Sequence, residues 1–457
     1  MGKKIEKITK SSTAEYFAKN LQQVGFSSPV KAVLTTLKEA LDNALDACEE
    51  AEIQPQLNVV IQKIGKGALK GTDRISIQVE DNGPGIAVDD VAMVFGEYLA
   101  SSKFGRGRCS RGQQGIGISA ATTWAVQTSA TGAQVLTKKK GQRKALSCLV
   151  ISDLKKNKGL LKEKVMREWD KDHGTRVKFL IDGRLQLKGE GGILSYLRGT
   201  VLLNPHLSIS YELADNEKVV INSVSSVIPQ IPPPLLPHPH TLKLGEFITY
   251  ARAVGTKRVG DWLRKDFSRV SETKAKEFVK LARLPLSTLK QTVRILGQGQ
   301  LEKLFNGVQE AELPPPPTNS VMSIGEEPLS LSIQRIGSID YFAVISRKPI
   351  ICDLKPVQVE TAIARMSQSS DSESVVQVLR FANRVPLQFD KSSCAIVKAI
   401  SSINWKAYGF RQARGQLPLG PYIIAVSVIS PFIKFKNASK ETIDSSDELV
   451  FEIRKAL

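Results

Sequence analysis

Cysteine is scarce in this chain of 457 residues. The five that occur, Cys48, Cys109, Cys148, Cys352 and Cys394, lie far apart, and no C-x-x-C pair exists. That spacing indicates neither a zinc site nor a disulfide framework; single thiols in a reducing compartment are expected. Long apolar runs are also missing, so no segment is expected to span a bilayer as a helix. The first ten residues, MGKKIEKITK, are charged and lack the apolar stretch of a secretory signal. These absences lead to the expectation of an intracellular protein not inserted in a membrane, in the cytoplasm or nucleoid, or in the nucleus of a eukaryote. No internal repeat of solenoid length recurs. The four histidines, His173, His206, His238 and His240, show no metal-ligand spacing, and the last two sit in a proline run.

Acidic charge is in the minority. Lys and Arg number 64 against 45 Asp and Glu, a formal net charge of +19. Such an excess favours a polyanionic partner, nucleic acid or a membrane surface, through counterion release. Apolar residues at 42% and charged residues at 24% are ordinary for a globular protein. The length suffices for two or three domains.

Two proline runs divide the chain: Ile231-Pro-Pro-Pro-Leu-Leu-Pro-His-Pro-His240 and Leu313-Pro-Pro-Pro-Pro317. Neither can continue a helix or a central strand. Before them, helical and strand patterns alternate. Between them, Leu244 to Val254, Val259 to Phe267 and Thr273 to Leu281 read as helices. After them, strands are expected at Leu329 to Gln334, Tyr341 to Ser346 and Tyr422 to Val428. Helices are expected at Ser393 to Ile403 and from Asp447 onward. Ser445 with Glu448 reads as a capping box for the last helix, and Leu449, Ile453 and Leu457 recur every fourth residue.

Four patches in the first segment carry chemistry. Ser28 and Pro29 open a helix that reads Leu37-Lys-Glu-Ala-Leu-Asp-Asn-Ala-Leu-Asp-Ala47. At helical spacing, Glu39, Asn43 and Asp46 share one stripe, opposite Leu34, Leu37, Leu41, Leu45 and Cys48. A carboxylate and a carboxamide one turn apart can hold a water and a magnesium ion, and the carboxylate can deprotonate that water. Alone, the stripe reads more readily as a solvated helix face. In Ile75-Ser-Ile-Gln-Val-Glu-Asp-Asn-Gly-Pro-Gly85, an alternating strand ends at Asp81, and Gly83 and Gly85 permit a tight turn. A buried carboxylate there can accept from an adenine amine; Asp-Asn-Gly is also a common plain turn. Gly112, Gly115 and Gly117 form G-x-x-G-x-G ahead of a helix, where backbone N–H groups can approach phosphates. This is not a P-loop, since no G-K-[ST] follows. Last, His173-Gly-Thr-Arg-Val-Lys-Phe179 opens a strand in which the Thr175 hydroxyl can support Asp81. Asp170-Lys-Asp172 reads as a loop rather than a metal pair, and the basic run Lys138 to Lys144 as a loop between strands.

In this order, E-x-x-x-N-x-x-D-A, D-x-G-x-G, G-x-x-G-x-G and G-T resemble the Bergerat ATP-binding fold of the GHKL superfamily. Later segments are similar to the B subunits of topoisomerase VI, the type IIB DNA topoisomerases. These are the lid wording Ser110-Arg-Gly-Gln-Gln-Gly-Ile-Gly-Ile-Ser-Ala120, Pro237-His-Pro-His240, Ser323-Ile-Gly-Glu-Glu327, Val378 to Leu387, Asn404-Trp-Lys-Ala-Tyr-Gly409 and Ala438-Ser-Lys-Glu-Thr442. The resemblance implies an α+β chain of three domains. These are a GHKL domain with an N-terminal strap over residues 1–228, a helix-two-turns-helix domain with its proline-rich linker over 229–312, and an α/β transducer of ribosomal S5-like type over 313–457. The stalk helix that usually follows looks cut short.

The same resemblance implies ATP and Mg2+ as cofactors, with Glu39 the general base and Asn43 the metal ligand. Asp81 would read adenine, with Thr175 beside it. Lys440 would be a switch lysine on the γ-phosphate. Asp46, Gly83, Gly85, Ser102, Lys103, Gly112, Gln113, Gln114, Gly115, Ile116 and Gly117 would complete the nucleotide site. Trp405, Lys406 and Tyr408 would engage DNA, or form a core tryptophan beside a solvated lysine. Partners implied are double-stranded DNA, a second copy of the chain, and an A-type subunit carrying the cleavage chemistry in an A2B2 assembly. A non-hydrolysing B-like scaffold is the alternative function; a MutL- or Hsp90-type clamp fits the later segments less well.

Overall fold

The computed structural model describes residues 12–100, 107, 109–112, 115–214, 216–367, 374–437 and 439–457. Its first sheet has eight strands: β1 (Gln56–Lys66), β2 (Asp73–Glu80), β3 (Ala133–Lys138), β4 (Ala145–Asp153), β5 (Lys158–Arg167), β6 (Gly174–Gly183), β7 (Ser208–Leu213) and β8 (Val219–Ile221). Their order is β5-β4-β3-β6-β2-β1-β7-β8. Strands β1 and β7 pair in parallel and the other neighbours antiparallel, so the sheet is mixed. Helices α1 (Thr13–Lys19), α2 (Pro29–Glu50), α3 (Val88–Gly96), α4 (Gly117–Ser129) and α5 (Ile193–Leu202) accompany it.

Helix α2 starts where the sequence signals it. The Ser28 side chain accepts from Lys31 N, and Pro29 occupies the first turn, where its missing N–H costs nothing. Leu34, Leu37, Leu41, Leu45 and Cys48 are buried, and the four leucines share one core with Ile75, Ile77 and Val79 of β2. That packing fixes the rotation of α2, and with it the direction of Glu39 and Asn43. Strands β2 and β6 lie side by side at the sheet centre, and Asp81 N donates to Thr175 O at 2.9 Å. The ends of these two strands therefore bring two of the four sequence patches together.

The middle of the chain is a separate helical unit: α6 (Leu244–Ala253), α7 (Val259–Asp266), α8 (Glu272–Leu281) and α9 (Gln298–Glu310). Phe247 is its hub, with ring centroids 4.9 Å from Trp262, 5.5 Å from Phe305 and 6.1 Å from Phe267. Helix α9 has no counterpart among the sequence expectations, although Leu301, Leu304 and Val308 are spaced to bury one face.

The last unit carries α10 (Glu326–Ile333), β9 (Ile339–Ser346), β10 (Ile350–Cys352), β11 (Lys355–Met366), β12 (Gln377–Ala382), β13 (Val385–Pro386), α11 (Ala395–Ser402), β14 (Tyr422–Ile429) and α12 (Asp447–Ala456). Its sheet runs β10-β11-β14-β12-β13, with β9 also paired to β11. The strand expected at Leu329 to Gln334 is instead most of helix α10. Leu329, Leu331 and Ile333 alternate in sequence, but burial follows the helical period: Leu329 and Ile333 are buried while Leu331 is 44% exposed. The cap of α12 is Ser446, whose side chain accepts from Leu449 N, not Ser445. Ser445 accepts from Lys398 Nζ and Glu448 from Asp353 N, so the expected capping box does not form.

Leu202 and Leu203, at the end of α5, pack with Leu329, Ile333 and Phe381, joining the first and last units through apolar contact. The helical unit keeps a core of its own. Phe247→Ala is therefore expected to destabilise that unit by about 3–5 kcal/mol. Calorimetry should show one transition lowered and the main one unmoved.

Candidate functional site

A cavity of about 290 Å³ lies between α2, the start of α4, the ends of β2 and β6, and the last unit of the chain. Glu39 and Asn43 line it from α2, Asp81 and Thr175 from the sheet, Gly112, Gly115, Ile116 and Gly117 from the glycine loop, and Lys440 from the far unit. Opposite ends of the sequence thus face one space.

Glu39 and Gly117 lie against each other in its wall. A Cβ on residue 117 would lie 1.8 Å from Glu39 Oε2, so any side chain there would push the Glu39 carboxylate out of its present position beside the start of α4. Helix α4 has no side-chain cap at Ile116. Among the described residues no side chain caps the N–H groups of its first turn, which can thus meet an anion, reinforced by the helix dipole. Asn43 sits one turn along α2 from Glu39, close to Gly112.

Asp81 is buried, 7% exposed, at the exit of β2. Its Oδ1 accepts from Gly83 N at 2.8 Å and from Thr175 N at 3.1 Å. Burial pushes its carboxyl up to about 6, partly offset by these two bonds. The expected support from the Thr175 hydroxyl is not made. That hydroxyl pairs with Thr137 Oγ1 at 2.9 Å, and the backbone N–H of Thr175 holds Asp81 instead. Gly85, at φ +72, passes so near Lys138 O that a side chain would collide with backbone. Gly83 follows Asp81 in the same turn.

Lys440 reaches in at φ +55, and its Nζ donates to Arg111 O at 3.1 Å. Burial lowers its pKa, and the nearby Glu39 carboxylate opposes that shift. The neighbouring Glu441 is tied to Lys31 of α2 at 2.8 Å.

Some expected site residues lie elsewhere. Asp46 does not line the cavity; its carboxylate is taken by Arg111 at 2.6 Å. Ser102, Lys103, Gln113 and Gln114 fall outside the described residues. Trp405 is 3% exposed and donates to Ile400 O, its ring against Phe410, so it is a core residue and offers no face to a nucleic acid. Lys406 and Tyr408 remain on the surface. His238 and His240 bond the carbonyls of Pro314 and Val308. Among the described residues no group of three His, Cys, Asp or Glu side chains could hold a metal. A cation here would rest on the Asn43 carboxamide, ligand oxygens and water, a set that suits magnesium.

Nothing in the sequence marked Lys38, Pro386, Gln388 and Phe389 as part of the cavity wall. Lys38 borders Glu39 on α2; the other three arrive from β13 and the loop after it, which no local pattern could place there.

Residues 30–182 match the family model for histidine kinase-, DNA gyrase B- and HSP90-like ATPases, and residues 316–457 the model for the transducer of the topoisomerase VI B subunit. The B subunit of type 2 DNA topoisomerase 6 from Archaeoglobus fulgidus is 35% identical over 446 residues, covering 98% of this chain and 72% of that protein. Its Methanococcoides burtonii counterpart is 34% identical, covering 98% and 70%. That of Pyrococcus furiosus is 32% identical, covering 98% and 84%. With an ATPase-type cavity closed by a transducer lysine, and this identity along nearly its whole length, the chain belongs to the topoisomerase VI B-type family.

Proposed function

We propose that this chain binds and hydrolyses magnesium-ATP and uses it to close two copies into a gate around a DNA duplex. An A-type subunit would cut and rejoin the other duplex within an A2B2 assembly. One observation carries the reading: Glu39, Asn43, Asp81, the glycine loop and Lys440 line a single cavity although they come from distant parts of the chain. A non-hydrolysing scaffold would need neither the carboxylate nor the transducer lysine there.

The roles follow from position. Asp81 Oδ1 is occupied by two backbone donors, which leaves Oδ2 to accept from an adenine amine. The open first turn of α4 receives phosphate oxygens. Asn43 would hold a magnesium ion, which would supply charge neutralisation on the phosphates. Glu39, beside that turn, takes a proton from the attacking water. Lys440 exchanges the Arg111 carbonyl for the γ-phosphate. ATP and ADP then make different contacts with the transducer, the condition for a nucleotide-driven change of shape.

Three outcomes test this. Glu39→Ala should keep ATP affinity nearly unchanged and lower turnover by about 10²–10⁴-fold, measured by equilibrium binding and steady-state phosphate release. Lys440→Ala should still bind ATP, yet show no dimer by light scattering with a non-hydrolysable analogue.

Asp81→Asn separates stability from binding. A carboxyl raised in the folded state from 3.8 to about 6 stabilises most below the unfolded value, and that contribution is lost as pH rises through 6. Asparagine escapes the cost of the buried charge, so at pH 7.5 the variant should gain on the order of 1–3 kcal/mol, a gain that disappears below about pH 4. It should also lose about 10–100-fold in ATP affinity. Denaturation and binding titrations at several pH values check both.

A further inference from the structure

Behind the nucleotide cavity, six polar side chains from four parts of the chain meet in a buried cluster. Asp46 and Glu49 come from α2, Arg111 from the residue before Gly112, Asn204 and His206 from the segment after α5, and Arg384 from the turn between β12 and β13. Glu49 is at the centre. Its carboxylate accepts from both terminal nitrogens of Arg111, at 2.7 and 2.9 Å, and of Arg384, at 2.7 and 2.9 Å. His206 Nε2 meets the same carboxylate at 2.8 Å. Arg111 also holds Asp46 at 2.6 Å and Asn204 at 2.6 Å.

The charges balance. Burial alone would raise the Glu49 carboxyl, but the two guanidinium groups outweigh it and hold the group well below the usual carboxylate range. Burial lowers His206 and keeps it neutral. Two carboxylates thus face two arginines. Buried ion pairs of this kind add little net stability over apolar packing, but each leaves a costly orphan charge if one partner withdraws. They hold a geometry more than they strengthen a fold.

Both ends are anchored. Arg384 sits at φ +67 beside Asn383 at φ +49, a turn unfavourable for side-chain-bearing residues. The Asn383 side chain fixes it by exchanging two hydrogen bonds with the backbone of Ser430, each 2.9 Å. From this turn β13 leads to Pro386, Gln388 and Phe389 in the cavity wall. At the other end, the backbone carbonyl of Arg111 accepts from Lys440 Nζ. Arg111 is therefore gripped twice by the transducer: through its carbonyl by Lys440, and through Glu49 by Arg384.

We propose that Glu49 is a positioning residue that couples the nucleotide lid to the transducer, by bridging Arg111 at the root of the glycine loop to Arg384. When Lys440 leaves the Arg111 carbonyl for a phosphate, the Arg111–Glu49–Arg384 bridge is what keeps lid and transducer moving as one body. The inference rests on the reading of Glu39 and Lys440 given above.

The test uses the full chain carrying Glu49→Gln together with Arg384→Met. This pair removes one charge of each sign and leaves Arg111 with Asp46, so folding is preserved and thermal melting verifies it. Spin labels go on cysteines placed at Met93 of α3 and Phe451 of α12, both exposed, while all five native cysteines are buried. A non-hydrolysable ATP analogue should change the label distance in the parent chain and leave it unchanged in the double variant. Analogue affinity should stay within about threefold while kcat falls about tenfold or more, and Arg384→Lys alone should retain part of that rate. A double variant with the parent's distance change and kcat overturns the proposal. So does parallel loss of affinity, kcat and melting temperature, or a parent whose distance does not respond. Glu39→Ala run alongside separates the two claims: turnover surviving in it sinks the catalytic reading, whereas its loss beside a normal double variant sinks the bridge alone.

Discussion

Helix α2 has to satisfy two surfaces at once, and the site depends on that constraint. Its leucine face is locked onto the central strands, so its polar face has no freedom of rotation. Glu39 is then presented beside the start of α4, where residue 117 has no side chain to displace its carboxylate. Core packing and site geometry are set by the same residues. A shift of α2 that improved one would spoil the other.

Burial sets the electrostatic character of Asp81, Lys440 and Glu49. It raises the Asp81 carboxyl, lowers the Lys440 ammonium, and would raise Glu49 but for two arginines. The three outcomes differ because the partners differ. Asp81 has backbone donors; Lys440 has a carbonyl and a neighbouring carboxylate; Glu49 has two full positive charges. In the proposed cycle Asp81 and Lys440 stand ready to gain a ligand, whereas Glu49 is already saturated and can only transmit position.

Helix α2 was legible because cap, proline and period agreed, and β2 because an alternating run ended at Asp-Asn-Gly. The pattern misled at residues 329–334, where a leucine alternation coincided with a helix face. At Trp405 the sequence left two readings open, a DNA-engaging aromatic or a core tryptophan, and the indole N–H bonded to Ile400 O selects the core. What no reading of the sequence could supply is contact across distance. Glu49 and Arg384 are 335 residues apart, and although Arg384 lies in the family-like segment Val378 to Leu387, nothing there points to Glu49. Asp46 shares a stripe with Glu39 and Asn43, yet its carboxylate is engaged by Arg111 and by the backbone N–H of Gly112 and does not itself line the cavity. Helical spacing predicts a face, not the partner that face will meet.

A crystal structure of the full chain with magnesium and a non-hydrolysable ATP analogue tests the central claim most directly. One nucleotide should be found with its exocyclic amine on Asp81, its phosphates on the first turn of α4 and its terminal phosphate at Lys440. A nucleotide bound away from Glu39, or one that leaves Asp81 and Lys440 without contact, would contradict the account.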